Sequence, residues 1–192
     1  MVSLNLKHTM KITKTNIEDL LVIDPTVYED KRGYFFESYN ARVFRENGIY
    51  QQFLQDNQSV SVKNTIRGLH FQTTAPQLKL VRAVVGSIWD VVVDLRKNSK
   101  TYGQWYGIEL NEDNMKMLLV PKGFAHGFSV LSDVAVVNYK ADELYMPSAK
   151  GGILYSDKSL KVDWKINIKE AIVSDFDGNL PMLEDIEKNL PF

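Results

Sequence analysis

The chain has three histidines and no cysteine. His8 lies near the N-terminus, while His70 in TIRGLHFQ and His126 in PKGFAHGF sit inside the body of the sequence. An imidazole with its ordinary pKa near 6.5 can take a proton at neutral pH, so each is a candidate base or metal ligand. His70 follows Arg67 by three residues and Gly68 by two, in a run that looks like a strand. Two readings stand open there, a satisfied structural histidine and a catalytic base. Two imidazoles alone make a poor divalent-metal site, and no carboxylate follows His70 closely to complete one. Lack of cysteine removes thiolate chemistry and disulfides, and it fits a reducing compartment. Out of context, Tyr139 would be half-buried packing in a strand, Asp177 a turn residue before Gly178, and Lys79 a solvated cation.

These groups need a frame to hold them, and the periodicity is mostly that of strands. SIWDVVVDL, residues 87–95, is rich in β-branched and apolar side chains. Residues 80–85 precede the same Gly86, so the two segments are expected to form a hairpin. Residues 105–110, 116–120, 127–131 and 134–140 are further short strand candidates, with turn residues between them. Many short strands so closely spaced predict a sandwich or barrel. Helices are few: 39–47, with Ser38 as cap and Gly48 past the end, and 182–188, with Pro181 near its start. The expected class is all-β with short peripheral helices.

A length of 192 residues suggests one domain, 1–192, with a sizeable core. Met10 is a second possible start, which would make residues 1–9 a disordered extension. Lys and Arg number 23 against 24 Asp and Glu, so no bulk charge points to nucleic acid or an anionic membrane. An anionic ligand must therefore be held by local cations. No run reaches about 18 apolar residues and the N-terminus lacks a signal-peptide pattern, so a cytoplasmic protein is expected.

Pro-x-Gly-x-x-His in PKGFAHGF resembles the second motif of the cupin superfamily, a double-sheet jelly roll. Metal-binding cupins pair that histidine with an upstream His-x-His; here the upstream element is His70-Phe71-Gln72. RGLHFQ resembles something narrower, the signature of the dTDP-4-dehydrorhamnose 3,5-epimerase family, cupins that need no metal. EDKRGYFFES, LQDNQS, KLVRAVVG, VVVDLRKNS, PKGFAHGF, YKADELYMP and IVSDFD agree with that family in the same order, over about residues 10–180.

The resemblance implies a cupin jelly roll (a double-stranded β-helix) that epimerises a nucleotide-linked 4-keto-6-deoxyhexose at C3 and C5 without a cofactor. Removal of a proton beside the C4 ketone needs a nearby base and a stabilised enolate oxygen. His70 matches the family's base and Asp177 the carboxylate that holds its tautomer. Tyr139 matches the acid on the opposite face, and Lys79 the cation beside the enolate. Arg32 and Arg67 match substrate-holding positions suited to a diphosphate. Glu37, Gln55, Asp56 and Asn57 match polar contacts to base and sugar. His126 matches a hydroxyl- or phosphate-contacting residue, Tyr145 the ring stacked on thymine, and Phe35 a cover for its other face. The segment carrying Arg32 and Glu37 is shared with a second subunit in the family, which implies a homodimer with composite sites.

Three residues depart from the family pattern. Lys150 stands for a glutamate at a substrate-contacting position, Phe176 for a lysine, and Tyr155 for a tryptophan. The proton-transfer groups are untouched, so the departures bear on the nucleotide or the sugar more than on the reaction. The alternatives are an epimerase acting at one carbon, one acting on another deoxysugar, a sugar-binding cupin without catalysis, and a metal-dependent cupin oxygenase.

Overall fold

The computed structural model describes residues 10–192, so His8 and the suggested extension lie outside the described residues. The first strands are β1 (Lys11–Lys14), β2 (Leu21–Asp24), β3 (Tyr28–Asp30), β4 (Gly33–Phe35), β5 (Gln55–Val62) and β6 (Ile66–Gln72). Next come β7 (Lys79–Val85), β8 (Ser87–Asp94), β9 (Trp105–Asn111), β10 (Met117–Val120), β11 (Phe124–Val130), β12 (Val134–Ala141) and β13 (Lys150–Gly152). They form a six-stranded sheet in the order β1-β2-β10-β7-β12-β5, a five-stranded sheet in the order β13-β6-β11-β8-β9, and the separate hairpin β3–β4. All of these pairings are antiparallel. This is the expected all-β jelly roll.

Side-chain alternation decides which face each strand turns inward. Ile88 and Val92 of β8 join Val81, Ala83, Leu118, Val137 and Phe128 in a core between the two sheets. Val91 and Val93 point the other way, into a second core with Leu69, Phe71, Ile153, Trp164 and Leu183 that the C-terminal segment covers. A third cluster, with Phe44, Leu80 and Met117, backs the six-stranded sheet.

Two expectations need correction. Residues 80–85 and 87–95 do not form a hairpin: β7 pairs with β10 and β12, and β8 with β11 and β9. Gly86, at φ +72°, is the corner where the chain passes from one sheet to the other, and a Cβ there would meet the Val134 carbonyl at 2.1 Å. The reason is that β8 is apolar on both faces and so needs a core on each side. The first helix, α1 (Ala41–Glu46), is capped by Asn40, which accepts from the Arg42 and Val43 amides at 3.1 and 3.4 Å, rather than by Ser38. Tyr39 instead packs edge-on against Phe44 and Phe53.

Two short helices complete the chain, α2 (Asp175–Gly178) and α3 (Leu183–Ile186). The second begins after Met182, and a 3-10 turn over Glu187–Asn189 replaces the rest of the expected helix. No helix among the described residues is long and apolar enough to cross a membrane.

Candidate active site

Gly68 answers why a histidine stands where His70 does. In a regular strand, Ile66 and Leu69 would face opposite ways, yet both lie in the outer core. The register between β6 and β11 shifts in this stretch, between His126 and Phe128, and the alternation resets. Gly68, at φ +127°, lies so close to β11 that a Cβ would meet the Gly127 Cα at 2.5 Å. With Leu69 and Phe71 turned outward, His70 faces the interior between the sheets.

Asp177 reaches His70 from α2. Ser174 caps that one-turn helix by accepting from the Asp177 amide at 3.1 Å, which aims the carboxylate at β6. One carboxylate oxygen lies 2.6 Å from His70 Nε2, and the other accepts from the Gly68 amide at 3.1 Å. Burial raises the Asp177 pKa, but the His70 hydrogen bond and charge, the Gly68 amide and the Lys150 charge outweigh it and hold the carboxyl below its usual range. An ionised Asp177 accepts the Nε2 proton, which leaves the lone pair on the His70 Nδ1 able to accept one. The His70 side chain is 30% exposed, so the cleft can reach it.

Lys79 and Tyr139 stand on the facing sheet. Tyr139, on β12, packs against the core between the sheets. Lys79, opening β7, holds its ammonium 5.9 Å from the centre of the Tyr139 ring. It is not the solvated cation of the bland reading. Burial lowers its pKa to about 8, against the charge of Asp90, which raises it. Burial likewise raises the Tyr139 pKa, with Arg67 opposing and Tyr145 adding to it, so the phenol keeps its proton.

His126 lies beside His70 in the β6–β11 register, and its Nε2 is 2.8 Å from Asp90 Oδ1. Asp90 is the group the sequence reading passed over, although a carboxylate inside the apolar run of β8 is itself a signal. It is fully buried, and its second oxygen has no hydrogen-bond partner among the described residues. Neither is there a group of three or more His, Asp or Glu among those residues that could hold a metal ion.

The remaining residues lie in several places. Arg67 bridges the sheets, donating to Ser61 Oγ at 2.9 Å. Gln55 and Asn57 lie together on β5, Asn57 opposite Tyr139, and Gln55 accepts from the Tyr145 amide at 2.8 Å. Asp56 points to the other face of β5, where Lys140 and Asn138 hold it. Arg32 and Phe35 lie on the hairpin β3–β4, which pairs with no other strand among the described residues. Arg32 donates to Asp30, Phe35 is 66% exposed, and Glu37 accepts from Asn40. Phe36 rests on Arg82, on the outer side of the six-stranded sheet, so this chain does not bring Arg32, Phe35 and Glu37 to the His70 wall. Lys150 and Phe176 meet each other next to His70.

An imidazole with a free lone pair thus stands on one wall, and a protonated phenol with an ammonium on the other. That arrangement suits removal of a proton beside a carbonyl, with charge support at the oxygen and return of a proton to the opposite side.

The sequence profile of the dTDP-4-dehydrorhamnose 3,5-epimerase family matches residues 14–185. The chain is 47% identical to a dTDP-4-dehydrorhamnose 3,5-epimerase of Methanothermobacter thermautotrophicus over 176 residues, 91% of this chain and 95% of that one. It superposes on the dTDP-6-deoxy-D-glucose-3,5-epimerase of Legionella pneumophila in complex with dTDP-4-keto-L-rhamnose with a TM-score of 0.91, at 41% identity, covering 95% and 97% of the two chains. The Bacillus anthracis dTDP-4-dehydrorhamnose 3,5-epimerase, with TDP and PPi bound, gives a TM-score of 0.88 at 46% identity, covering 91% and 100%.

Proposed function

The chain belongs to the dTDP-4-dehydrorhamnose 3,5-epimerase family, and from that premise we propose how its own residues invert C3 and C5 of dTDP-4-dehydro-6-deoxyglucose to give dTDP-4-dehydro-L-rhamnose. One observation carries the reading. His70, held by Asp177, and the Tyr139 phenol belong to different sheets that enclose one interior. A sugar ring between them meets a base on one side and an acid on the other, as inversion requires.

In this scheme His70 Nδ1 takes the proton from the carbon beside the C4 ketone. Asp177 holds the imidazole by Nε2 and supports the positive charge it gains. Lys79 faces the ketone oxygen as it becomes an enolate, and Tyr139 gives a proton back on the opposite face. Arg67, with Arg32, suits the diphosphate, and Gln55, Asn57 and Tyr145 suit the base and the sugars. His126 spends Nε2 on Asp90, which leaves its other nitrogen for the substrate. The scheme uses only side chains and the substrate's own ketone.

A homodimer is part of the proposal. The hairpin β3–β4 exposes Tyr34 and Phe35 at 56% and 66% and joins no larger sheet among the described residues. A partner's site gives that surface a use and supplies the second arginine. We also assign the enzyme to the cytoplasm, on the absence of cysteine. Mixed dimers of Arg32→Ala and His70→Ala chains should regain activity that neither variant has alone; no recovery would mean that each chain builds its site unaided.

Incubation of the wild-type enzyme with dTDP-4-keto-6-deoxyglucose in deuterated water tests the reaction. Deuterium at both C3 and C5 is expected. Labelling at one carbon would make it a mono-epimerase, and none at either would end the proposal.

A further inference from the structure

Lys150 and Phe176 have no part in the proton transfers above, yet they meet beside the base. β13 pairs with β6 so that Gly152 lies opposite His70 and Lys150 opposite Gln72, on the same face of the sheet. Phe176 lies against the imidazole, with ring centres 6.0 Å apart at an angle of 51°.

Phe176 is poorly anchored by its own element. It belongs to a one-turn helix, which has little stability by itself, and 43% of its surface is exposed. What it meets beyond His70 is the Lys150 ammonium, 3.3 Å from the ring centre. A cation over an aromatic face is attracted by the ring quadrupole, by a factor of about two to five in an equilibrium at an exposed site. Phe176 also directly precedes Asp177, so holding its ring steadies the turn that carries the carboxylate.

We propose that Lys150 and Phe176 form a cation–π latch that seats the Phe176 ring against His70 and fixes the imidazole and Asp177 for proton abstraction. Both are positioning residues: Phe176 acts on His70, and Lys150 acts through Phe176. The catalytic part of this inference rests on His70 being the base; the contact itself does not.

Proton NMR of the imidazole signals reads the latch without substrate. The chain has three histidines, and His70→Ala identifies the His70 signal by its loss. Phe176→Leu should shift that signal, and Lys150→Met, which keeps an apolar stem, should shift it the same way. Lys150→Arg retains the cation and should leave it in place. With dTDP-4-keto-6-deoxyglucose, kcat should fall about fivefold in Lys150→Met and in Phe176→Leu, and the double variant should be no worse than Phe176→Leu alone. Lys150→Arg should stay near wild type, and TDP affinity should change by no more than a factor of about two throughout.

A Lys150→Met enzyme with an unmoved His70 signal and TDP affinity down by about tenfold or more would make Lys150 a phosphate contact and overturn the latch. An unmoved signal with unchanged turnover would make it a surface lysine, with the same result. A shifted signal with unchanged kcat would end the positioning role. Wild-type enzyme that fails to turn over this substrate would sink the proposed reaction instead, while the signal shifts would still decide the contact.

Discussion

Among the described residues two histidines stand side by side on one sheet, each paired with an aspartate, and the two pairs are built differently. His70 is 30% exposed, and both oxygens of its Asp177 are engaged, one by the imidazole and one by the Gly68 amide. His126 is 8% exposed beside a fully buried Asp90 whose second oxygen has no partner among the described residues. Asp177 comes from a one-turn helix at the rim, whereas Asp90 comes from a strand with a core on each side. One pair is open to a substrate and its carboxylate is saturated, so its free nitrogen can accept a proton. The other is largely buried, and its carboxylate, with one oxygen unpartnered among the described residues, leaves negative charge to act on Lys79. Burial and the count of partners separate the pair proposed to react from the pair proposed to support it.

Exchanging the roles of the two pairs would break the comparison most severely. His70→Ala should remove proton exchange at both carbons, a loss of roughly 10²–10⁴ in rate, with nucleotide binding nearly intact. His126→Ala should cost less in turnover and more in stability, about 1–3 kcal/mol, because it strands the buried Asp90 carboxylate. Deuterium exchange and thermal unfolding measured on both variants check this. Equal losses of exchange would mean that the two histidines share one role.

The carboxylates sharpen the contrast. Asp177→Asn should lower turnover by about 10- to 100-fold, less than loss of His70, since it disturbs tautomer and basicity but leaves the proton acceptor. Comparing single-turnover exchange with the His70→Ala value checks that order. Asp90→Asn should act through pH instead. Lys79 must be charged to face an enolate, so activity should fall as pH rises through about 8. Asp90 raises the Lys79 pKa, so removing its charge should move this alkaline limb to lower pH. The same depressed pKa means that the folded chain binds fewer protons than the unfolded one between about 8 and 10.5, so Lys79's contribution to stability rises with pH there. An alkaline limb unmoved in Asp90→Asn would detach Asp90 from Lys79.

The four residues proposed to handle protons could be singled out because each sits in a distinctive local string, and Ser174-x-x-Asp177 even encodes its own cap. The strand inventory was legible where apolar alternation is strong. It failed at Gly86, because a glycine between two apolar runs serves a hairpin and a sheet-crossing corner equally well, and the choice depends on β10 and β11, far away in the chain. The polar strand β5 was not among the strand candidates, since an edge strand with one solvated face needs few apolar residues. Asp90 was missed because a lone carboxylate in an apolar run names no partner; His126 lies 36 positions on. The facing of Asp56 away from Gln55 and Asn57 follows from strand alternation once β5 is recognised.

The central claim is that base and acid stand on opposite sheets, and Tyr139→Phe tests it most directly. The variant keeps the ring, so packing is preserved and only the hydroxyl is lost. One NMR experiment in deuterated water follows both label entry and inverted product. If His70 can still remove and return a proton on its own side, deuterium should continue to enter while inverted product falls by roughly 10²-fold or more. Equal loss of exchange and inversion, or no loss of either, would contradict the assignment of Tyr139 as the acid and with it the two-wall arrangement.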